Sequence, residues 1–349
     1  MTGRAAKWVM LGLMNKQILL ASRPRGVATL ENFRLVETSV PTPAAGQVLV
    51  RHRWLSIDPY MRGRMSEAKS YAAPQPLDAV MIGQTAGVVV ESRCSRWNVG
   101  DEVVGMGGWQ QYAVVDGEDR QGLRKVETSR VPLSAFLGAV GMPGVTAWYG
   151  LNKIIEVKPG QTVLVGAAAG AVGSVVGQLA RVRGARAVGI AGGPEKCAWV
   201  TETLGFEACI DHRDHADVRS LAAALKLACP DGVDGNFENV GGKVLDAALT
   251  VMNPFGRVAL CGMIAGYEGE AIPLTLARLI LQSRMRIEGF IVTEHPEVWP
   301  EALRELADLV VDGRLRYRES IAVGLAQAPT ALLGMLTGAN FGKQLVSLE

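Results

Sequence analysis

The chain has 349 residues, of which 48% are hydrophobic and 20% charged, and its formal net charge is +2. This composition is typical of a soluble globular protein, the length predicts one large domain or two, and so small a net charge gives no indication of nucleic-acid or membrane partners. The five cysteines are scattered and form no CxxC pair, which argues against a disulfide framework or a structural zinc lobe and favours a cytoplasmic location.

The first residues can be interpreted in two ways. Residues 1–13 combine basic side chains with the apolar run WVMLGLM, as a secretory signal would. The run is short, however, and no cleavage site of small residues follows it cleanly. We therefore favour Met14 as the effective start, with NKQILLASRP as the first strand. No segment has the length of a transmembrane helix.

Residues 16–131 consist of short β-type runs separated by turn residues. The runs are QILLAS, FRLVETSV, QVLVRHRWLSI, TAGVVVES, DEVVGM and QYAVV. Proline and glycine clusters at 41–46 and the NVGD turn at 98–101 separate them. This pattern predicts a mostly β domain.

The pattern changes near residue 132. Residues 132–155 are predicted to be helical, and apolar strands such as TVLVGA, RAVGIAG and VALCGM then alternate with amphipathic helices. Parallel neighbours need such crossovers, so this half of the chain predicts βαβ units and a parallel sheet covered on both faces. A last strand near the C-terminus cannot be assigned to either domain from the pattern.

The stretch GAAAGAVG at 166–173 has the form of a dinucleotide-binding turn between a strand and a helix. Such a turn directs helix N–H groups at a pyrophosphate. Gly170 stands where the backbone approaches phosphate and Gly173 where helix and strand pack closely, but Ala168 replaces the first glycine. Alanine is tolerated there if the turn does not demand a positive φ. The alternative is a pair of helix-packing glycines in another kind of α/β protein.

The end of the next strand indicates which cofactor is bound. An NAD site carries an acid there for the ribose hydroxyl, but RAVGIAGGPEKC offers only Glu195, after a Gly-Gly-Pro turn. The small residues leave room for a 2′-phosphate, which Lys196 could bind, assisted by His212 or Arg213. We therefore expect NADP, although Lys196 could instead be a solvated helix residue.

Together these segments resemble the medium-chain dehydrogenase/reductase superfamily, and in particular its zinc-free branch of prostaglandin/leukotriene, curcumin and alkenal double-bond reductases. The resemblance covers nearly the whole chain from about Asn15. It rests on LSIDPYMRGRM at 55–65, GMPGVTAWYGL at 141–151, GAAAGAVGSVVGQLA at 166–180, GGPEKC at 192–197, LGFEACID at 204–211, FENVGG at 237–242, GRVALCGMIAGY at 256–267, EGFIV at 288–292 and NFGKQLV at 340–346.

The resemblance implies an α/β fold, with a doubly wound Rossmann sheet at 138–315 inserted between two parts of a GroES-like, mostly β domain at 1–137 and 316–349. The last strand would then join the β domain. The implied cofactor contacts are Gly170, Ala171, Val172 and Gly173 for the pyrophosphate, Lys196, His212 and Arg213 near the 2′-phosphate, and Asn239, Cys261, Gly262, Met263, Tyr267, Phe290, Ile291 and Asn340. Relatives commonly have a tyrosine where this chain has His212.

A zinc site is not expected. Zinc-dependent members carry a histidine and a glutamate where this chain has Gln84 and Thr85. With no cysteine before Cys94 and only four histidines, no set of thiolate and imidazole ligands can be assembled at ligand spacing. His212 and His215 are three residues apart, but they are predicted to lie in a solvated loop.

Without a Lewis acid, alcohol oxidation is disfavoured, and the resemblance implies hydride transfer to the β-carbon of an α,β-unsaturated ketone or aldehyde. The enolate needs hydrogen-bond donors and then a proton at the α-carbon. Tyr60 and Tyr267 are the predicted catalytic residues at the substrate cleft, although Tyr60 could simply brace a loop. Some relatives have another tyrosine where this chain has Gln282.

Two other functions stay open from the sequence. The protein could reduce quinones, as the neighbouring zinc-free branch does, or it could bind NADPH without catalysis. The DPYMR segment at 58–62 argues against the second possibility. The resemblance also implies a homodimer.

Overall fold

A computed structural model describes residues 14–119 and 122–349. Both interpretations of residues 1–13 concern a segment outside that range. The chain divides into two compact units. Unit 1 contains residues up to 137, together with 320–340 and 344–349, and unit 2 contains 138–319 and 341–343. The boundaries predicted from the sequence are 137 and 315.

The strands are β1 Met14–Leu20, β2 Phe33–Ser39, β3 Gln47–Ser56, β4 Thr85–Ser92, β5 Glu102–Gly105, β6 Tyr112–Asp116, β7 Leu123–Lys125, β8 Thr162–Gly166, β9 Arg186–Ala191, β10 Ala208–Asp211, β11 Val233–Glu238, β12 Met252–Leu260, β13 Arg286–Gly289, β14 Glu319–Val323 and β15 Lys343–Ser347. The α-helices are α1 Tyr60–Arg64, α2 Met142–Tyr149, α3 Gly173–Val182, α4 Pro194–Ala198, α5 Val218–Ala228, α6 Gly242–Val251, α7 Arg278–Gln282, α8 Trp299–Val311 and α9 Ala328–Leu336.

Unit 1 is mostly antiparallel sheet, as the short β-type runs predict. Its main sheet has the order β14-β15-β3-β4-β5-β7, with β6 also paired to β3, and β1 pairs with β2 in a separate ribbon. β15 runs antiparallel to β3, with Leu345 opposite Ser56. The final strand, which could not be assigned from its pattern, therefore belongs to the β unit, as the resemblance implied.

Unit 2 is a six-stranded parallel sheet in the order β10-β9-β8-β11-β12-β13. Counted from its own first strand this is 3-2-1-4-5-6, the order of a Rossmann fold. All five residues of β8 are buried, because helices cover both faces of the sheet. The order reverses between β8 and β11, which places the carboxyl end of β8 at the usual nucleotide-binding position. The predicted α/β fold class is confirmed.

The structure differs from the predicted elements in three places. The helical stretch at 132–155 is broken into a 3₁₀ segment at Leu133–Leu137, helix α2, and a π-helical segment at Gly150–Ile155. The break falls at Gly141, whose backbone is extended. β13 ends at Gly289, so Phe290 and Ile291 follow the strand rather than lie within it. α1 begins at Tyr60, directly after β3 and Asp58-Pro59, where no helix was predicted.

Across the described ranges, no helix is both long and apolar enough to span a bilayer. The five cysteines are all free thiols, of which Cys94 and Cys229 are buried.

Candidate functional site

The turn that follows β8 explains how Ala168 is tolerated. The left-handed conformation is adopted by Ala167, with φ of 51°, and Ala168 does not share it. The Ala168 N–H donates to the Ile190 carbonyl at 2.9 Å, and its side chain is fully buried. A Cβ added to Gly189 in β9 would lie 2.8 Å from the Ala168 Cβ. The alanine methyl therefore fits because the adjacent strand has a glycine opposite it.

Gly170 and Gly173 have different surroundings. A Cβ on Gly173 would lie 2.4 Å from the Ala167 carbonyl oxygen and 3.0 Å from the Ala168 Cα, so only glycine fits where α3 begins. A Cβ on Gly170 would meet only the Ala167 oxygen, at 3.1 Å, and Gly170 is partly exposed. No side chain caps the N-terminus of α3. The Ser174 and Val175 N–H groups donate to the carbonyls of Gly170 and Val172, at 3.1 and 3.0 Å, so an anion at this helix start would meet the N–H groups that precede Ser174.

Ala171 and Val172 complete the turn and are partly exposed, like Gly170. Gly342, from the last part of unit 2, donates its N–H to the Ala169 carbonyl at 3.1 Å. Beside it, Phe341 contacts the edge of the Trp199 ring at 5.0 Å between centroids. The segment 341–343 therefore packs against the turn.

A cluster of cations lies over the turn after β9. A Cβ on Gly192 would lie 2.9 Å from His212 Nε2 and 3.1 Å from Arg213 Nε. The side chains of His212 and Arg213 therefore pack directly over the glycine backbone. Gly193 has φ of 100° and directly precedes α4, which carries Lys196. The structure therefore brings together three residues predicted near a 2′-phosphate. We call Lys196, His212 and Arg213 the cation cluster.

The pKa values of the cluster reflect its crowding. Burial, and then the charge of Arg213, lowers the pKa of Lys196. Burial also lowers the pKa of His212, with a further contribution from Lys243. The charged forms of Lys196 and His212 are thus disfavoured, and a bound dianion would offset this cost. His212 is half-buried rather than in the solvated loop that was predicted.

Asp211 directly precedes His212, and its carboxylate is already engaged by backbone N–H groups. Burial would raise the pKa of Asp211, but N–H groups of Gly193 and Arg213 bind the carboxylate and hold the pKa below its usual range. The bond from the Arg213 N–H is 3.0 Å long. The carboxylate therefore stabilises the turn that presents the cations.

Lys243 is a residue that the sequence analysis missed. It lies at the start of α6, and its ammonium donates to the carbonyl oxygens of His212, at 3.1 Å, and His215. It therefore holds the 212–215 turn in place and adds positive charge behind the cation cluster. No signal in the sequence links position 243 to position 212, because they meet only through the parallel pairing of the sheet.

The end of β11 forms the second side of the candidate site. The carboxylate of Glu238 is fully buried and accepts from the N–H groups of Val240, at 2.6 Å, and Gly241, at 2.8 Å. Burial nevertheless raises its pKa. The Asn239 side chain donates to the Gly166 carbonyl at 2.8 Å, which links the ends of β11 and β8. Asn239 thus has a structural role as well as a predicted cofactor contact.

The predicted loop from Cys261 to Tyr267 is tied to this strand end. The N–H groups of Cys261 and Gly262 both donate to the Glu238 carbonyl, at 3.0 and 3.1 Å. A Cβ on Gly262 would lie 3.4 Å from the Tyr267 hydroxyl, and one on Gly241 would lie 3.5 Å from the Met263 Cβ. Burial raises the pKa of the Cys261 thiol to about 12, so the thiol stays protonated. The loop therefore folds back so that the Tyr267 hydroxyl lies near Gly262, at the start of the loop.

Phe290 follows β13 and packs in an aromatic group of unit 2. Its ring centroid lies 5.4 Å from that of Tyr149 and 6.2 Å from that of Phe237. Ile291 is partly exposed beside it. These contacts fix the chain direction after β13, and the role of both residues toward a cofactor stays a prediction.

Tyr60 and Asn340 belong to unit 1 and are described there alone. Burial, and then the negative charge of Asp58, raises the pKa of the Tyr60 hydroxyl far above its usual range. The Asp58 carboxylate accepts a hydrogen bond from the Ser56 hydroxyl. Tyr60 therefore keeps its proton at any physiological pH and can only act as a neutral donor or acceptor. Asn340 is partly exposed and immediately precedes the segment 341–343.

The residues that stand where zinc-dependent members carry histidine and glutamate do not suit a metal. Within 14–119 and 122–349, no three histidine, cysteine, aspartate or glutamate side chains are grouped so that they could hold an ion. Gln84 is half-buried, and its side-chain oxygen is buried without a hydrogen-bond partner. Thr85 lies against Gly107, where the ring of His52 also packs. The neutral donor set of this region offers no thiolate or paired carboxylate.

Two family models match the chain. Residues 16–125 match the N-terminal domain of oxidoreductase, and residues 171–308 match a model described as zinc-binding dehydrogenase. The zinc in the second description has no matching ligand group among the described residues. The two matches fall within unit 1 and unit 2 respectively.

Proteins with assigned activities match nearly the whole chain. NADPH-dependent curcumin reductase of Escherichia coli is 44% identical over 95% of this chain and 96% of its own length. Prostaglandin reductase 1 of Rattus norvegicus is 42% identical, over 92% and 95% of the two chains. The NADP(+)-dependent 2-alkenal reductase of Nicotiana tabacum is 38% identical, over 96% and 98%.

A solved structure extends this similarity to three dimensions. CurA from Vibrio vulnificus in complex with NADPH is 43% identical, with a TM-score of 0.89 over 96% of this chain and 99% of that one. The chain therefore belongs to the zinc-independent branch of the medium-chain dehydrogenase/reductase family, together with the curcumin, prostaglandin and 2-alkenal reductases.

Proposed function

We infer that this protein uses NADPH to reduce the carbon–carbon double bond of α,β-unsaturated ketones or aldehydes. The observation that carries the inference is the cation cluster over Gly192 and Gly193, at the strand end where an NAD site presents a free acid. The type of bond reduced is supported by the similar proteins, whose names refer to curcumin, prostaglandin and 2-alkenals as substrates.

The residues of unit 2 fit NADPH. The uncapped start of α3 and the open face of Gly170 suit a pyrophosphate, and the cation cluster suits a 2′-phosphate. We propose that Gly170 to Gly173 bind the first and that Lys196 and Arg213, assisted by His212, bind the second. Asn239, the 261–267 loop, Phe290, Ile291 and Asn340 are proposed as the remaining contacts.

When bound, NADPH would supply a hydride to the β-carbon of the substrate. The negative charge that develops on the substrate oxygen then needs hydrogen-bond donors held in place beforehand. We propose the Tyr267 hydroxyl, which is held near Gly262, and the Tyr60 hydroxyl, whose burial keeps it protonated, as such donors. Each tyrosine would orient the carbonyl group and stabilise its charge.

The direct test is consumption of NADPH with a panel of enals, enones and diarylheptanoids, compared with simple quinones. We expect turnover of the first group and isolation of products saturated at the former double bond. Turnover of quinones alone would replace the proposal with quinone reduction. Tight NADPH binding without turnover of any compound would favour a non-catalytic NADPH-binding protein.

The proposed 2′-phosphate contact is tested by Lys196→Ala, with Lys226→Ala as the control because Lys226 is an exposed lysine of the same unit. Lys196→Ala should weaken NADPH binding by about 1 to 3 kcal/mol, the range for hydrogen bonds to charged groups, and leave NADH binding unchanged. An equal loss for both cofactors would argue against the 2′-phosphate role.

We also propose that the protein is a cytoplasmic homodimer. The scattered free thiols suit a reducing compartment. The sheet of unit 2 ends in β13 on one side and β10 on the other, and pairing of such edges between two copies would form a continuous sheet. Sedimentation equilibrium should give twice the chain mass, and a monomer at micromolar concentration would contradict the dimer.

A further inference from the structure

Two cysteines lie beside the cation cluster on different backbone segments. Cys197 directly follows Lys196 in α4, and Cys209 lies in β10, three residues before His212. The Cys197 and Cys209 side chains interact with each other, and α4 packs beside β10. Both residues are partly exposed and pack against the same apolar cluster.

The surroundings of both sulfurs place them over the same part of β9. Cys209 is the register partner of Gly189, and its Sγ would lie 3.2 Å from a Cβ added there. The Cys197 thiol contacts the backbone of Ala191, two residues further along β9. Residues two apart in a strand face the same side of the sheet. The absence of a side chain at Gly189 leaves space that the Cys209 sulfur shares with the Ala168 methyl, and Cys197 approaches the same face of β9 at Ala191.

We propose that Cys197 and Cys209 form an oxidisable dithiol site whose disulfide weakens NADPH binding at the adjacent cation cluster. The part of this proposal that concerns NADPH rests on the proposed function. The formation of the disulfide does not.

With hydrogen peroxide as the oxidant, the chemistry balances in two steps. The Cys197 thiolate attacks a peroxide oxygen and breaks the O–O bond, which gives a sulfenic acid and one water after proton uptake. The Cys209 sulfur then attacks the sulfenic sulfur, forms the S–S bond and releases a second water. The two thiols lose two electrons and two protons, and the peroxide gains both.

Cys197 is the expected first nucleophile. Burial raises the pKa of both thiols, and the shift is larger for Cys209. The reactive form is the thiolate, so oxidation should be slow at neutral pH and faster as the pH rises. A bound cofactor that neutralises the neighbouring cations and covers α4 should slow it further.

The disulfide would alter the geometry of the cation cluster. Its two sulfurs are only about 2.05 Å apart, closer than two hydrogen-bonded thiols can approach. We expect its formation to rotate both side chains and to draw α4 toward β10. Because Lys196 is on α4 while His212 and Arg213 directly follow β10, the spacing between the cations changes. Charge-assisted hydrogen bonds depend on this spacing, so we expect NADPH binding to weaken about tenfold.

The experiment treats the purified protein with hydrogen peroxide at neutral and at mildly alkaline pH, with and without NADPH. Proteolysis and mass spectrometry then identify peptides linked through Cys197 and Cys209, which lack two hydrogens. Dissociation constants for NADPH and NADH are measured before oxidation, after it, and after reduction with dithiothreitol. Cys197→Ser and Cys209→Ser remove the site, and Cys229→Ser is the matched control for a buried thiol elsewhere in unit 2.

We expect the linked peptide in the wild-type protein, a rise of about tenfold in the NADPH dissociation constant with NADH unchanged, and full recovery on reduction. The two serine variants at the site should lose this response, and Cys229→Ser should keep it. Absence of the linked peptide, or a linked protein that binds NADPH as before, overturns the proposal. The peptide map is made on the wild-type protein, so this test does not depend on whether the serine variants fold. Equal binding of NADPH and NADH by the untreated protein would contradict the proposed function. The peptide map would still show whether the disulfide forms.

Discussion

Single substitutions in the turn after β8 should separate helix packing from cofactor binding. In Gly173→Ala the new Cβ would lie 2.4 Å from the Ala167 oxygen and 2.9 Å from its carbonyl carbon, both of them backbone atoms. Backbone cannot rotate away as a side chain does, so α3 must shift by several tenths of an ångström. Overpacking of this kind costs about 1 to 3 kcal/mol and sometimes more, and we expect about 3 kcal/mol here.

Gly170→Ala should have the opposite effect. Its Cβ would meet a single atom, the Ala167 oxygen at 3.1 Å, and Gly170 does not have a positive φ. We therefore expect the free energy of unfolding to change by less than about 1 kcal/mol. The methyl would occupy the open side of the turn that we assign to the pyrophosphate. Binding of NADPH and of NADH should therefore fall together, by about tenfold or more.

Ala168→Gly restores the glycine of the usual fingerprint and tests whether its replacement matters. The change removes a fully buried methyl, which costs about 0.8 kcal/mol, and adds the conformational entropy of glycine, about 0.5 to 1 kcal/mol. We expect a protein that is about 1 to 2 kcal/mol less stable, with unchanged cofactor affinity.

Urea denaturation gives the free energies of unfolding, and titration of tryptophan fluorescence gives the dissociation constants, for all three variants and the wild type. The expected pattern is loss of stability at position 173, loss of binding at position 170, and a modest loss of stability alone at position 168. A Gly173→Ala protein as stable as the wild type would refute the packing argument. A Gly170→Ala protein with normal cofactor affinity would refute the assignment of the pyrophosphate.

Three further predictions concern other parts of the chain. Burial lowers the pKa of the His52 imidazole from 6.5 to about 4. As the pH falls, the unfolded chain therefore protonates His52 before the folded chain does, and acidification from pH 7 to pH 4 should lower the free energy of unfolding by about 3 kcal/mol. His52→Gln should lose this part of the pH dependence, and an unchanged slope would contradict it. Lys243→Met should weaken NADPH binding about fivefold, without affecting NADH binding, because the 212–215 turn loses its support. Isothermal titration with both cofactors measures the two affinities, and equal losses for NADPH and NADH would argue against this role of Lys243. Tyr60→Phe and Tyr267→Phe should each lower kcat for enones by roughly a hundredfold with little change in the NADPH dissociation constant; normal steady-state rates would remove that tyrosine from the mechanism.

Several features could be predicted from local sequence because short-range physics controls them. The strand TVLVG is apolar at every position, and a strand of that kind is stable only inside a sheet covered on both faces. Gly173 could be assigned to helix packing because α3 begins directly after a tight turn. The Gly192–Gly193 pair without an acid indicated a phosphate, since small residues leave space that a charged ligand can enter.

Other features depend on residues that meet only in the folded chain. Lys243 reaches the carbonyl of His212 across 31 positions of sequence, and Asn239 reaches the carbonyl of Gly166 across 73. The contact between Cys197 and Cys209 likewise requires β9 and β10 to be paired in one particular register. No local pattern specifies such a register.

The sequence by itself determined that this chain has a β unit and a nucleotide-binding unit and which cofactor is favoured, and it predicted which turn binds the pyrophosphate. These follow from hydrophobic periodicity, glycine geometry and the absence of an acid, all of which act within a few residues. Only the tertiary structure decided that β15 joins β3, that Gly189 makes room for Ala168, and that Asp211 and Lys243 hold the cations in place. Those contacts arise from strand order and register, which the packing of the whole sheet selects.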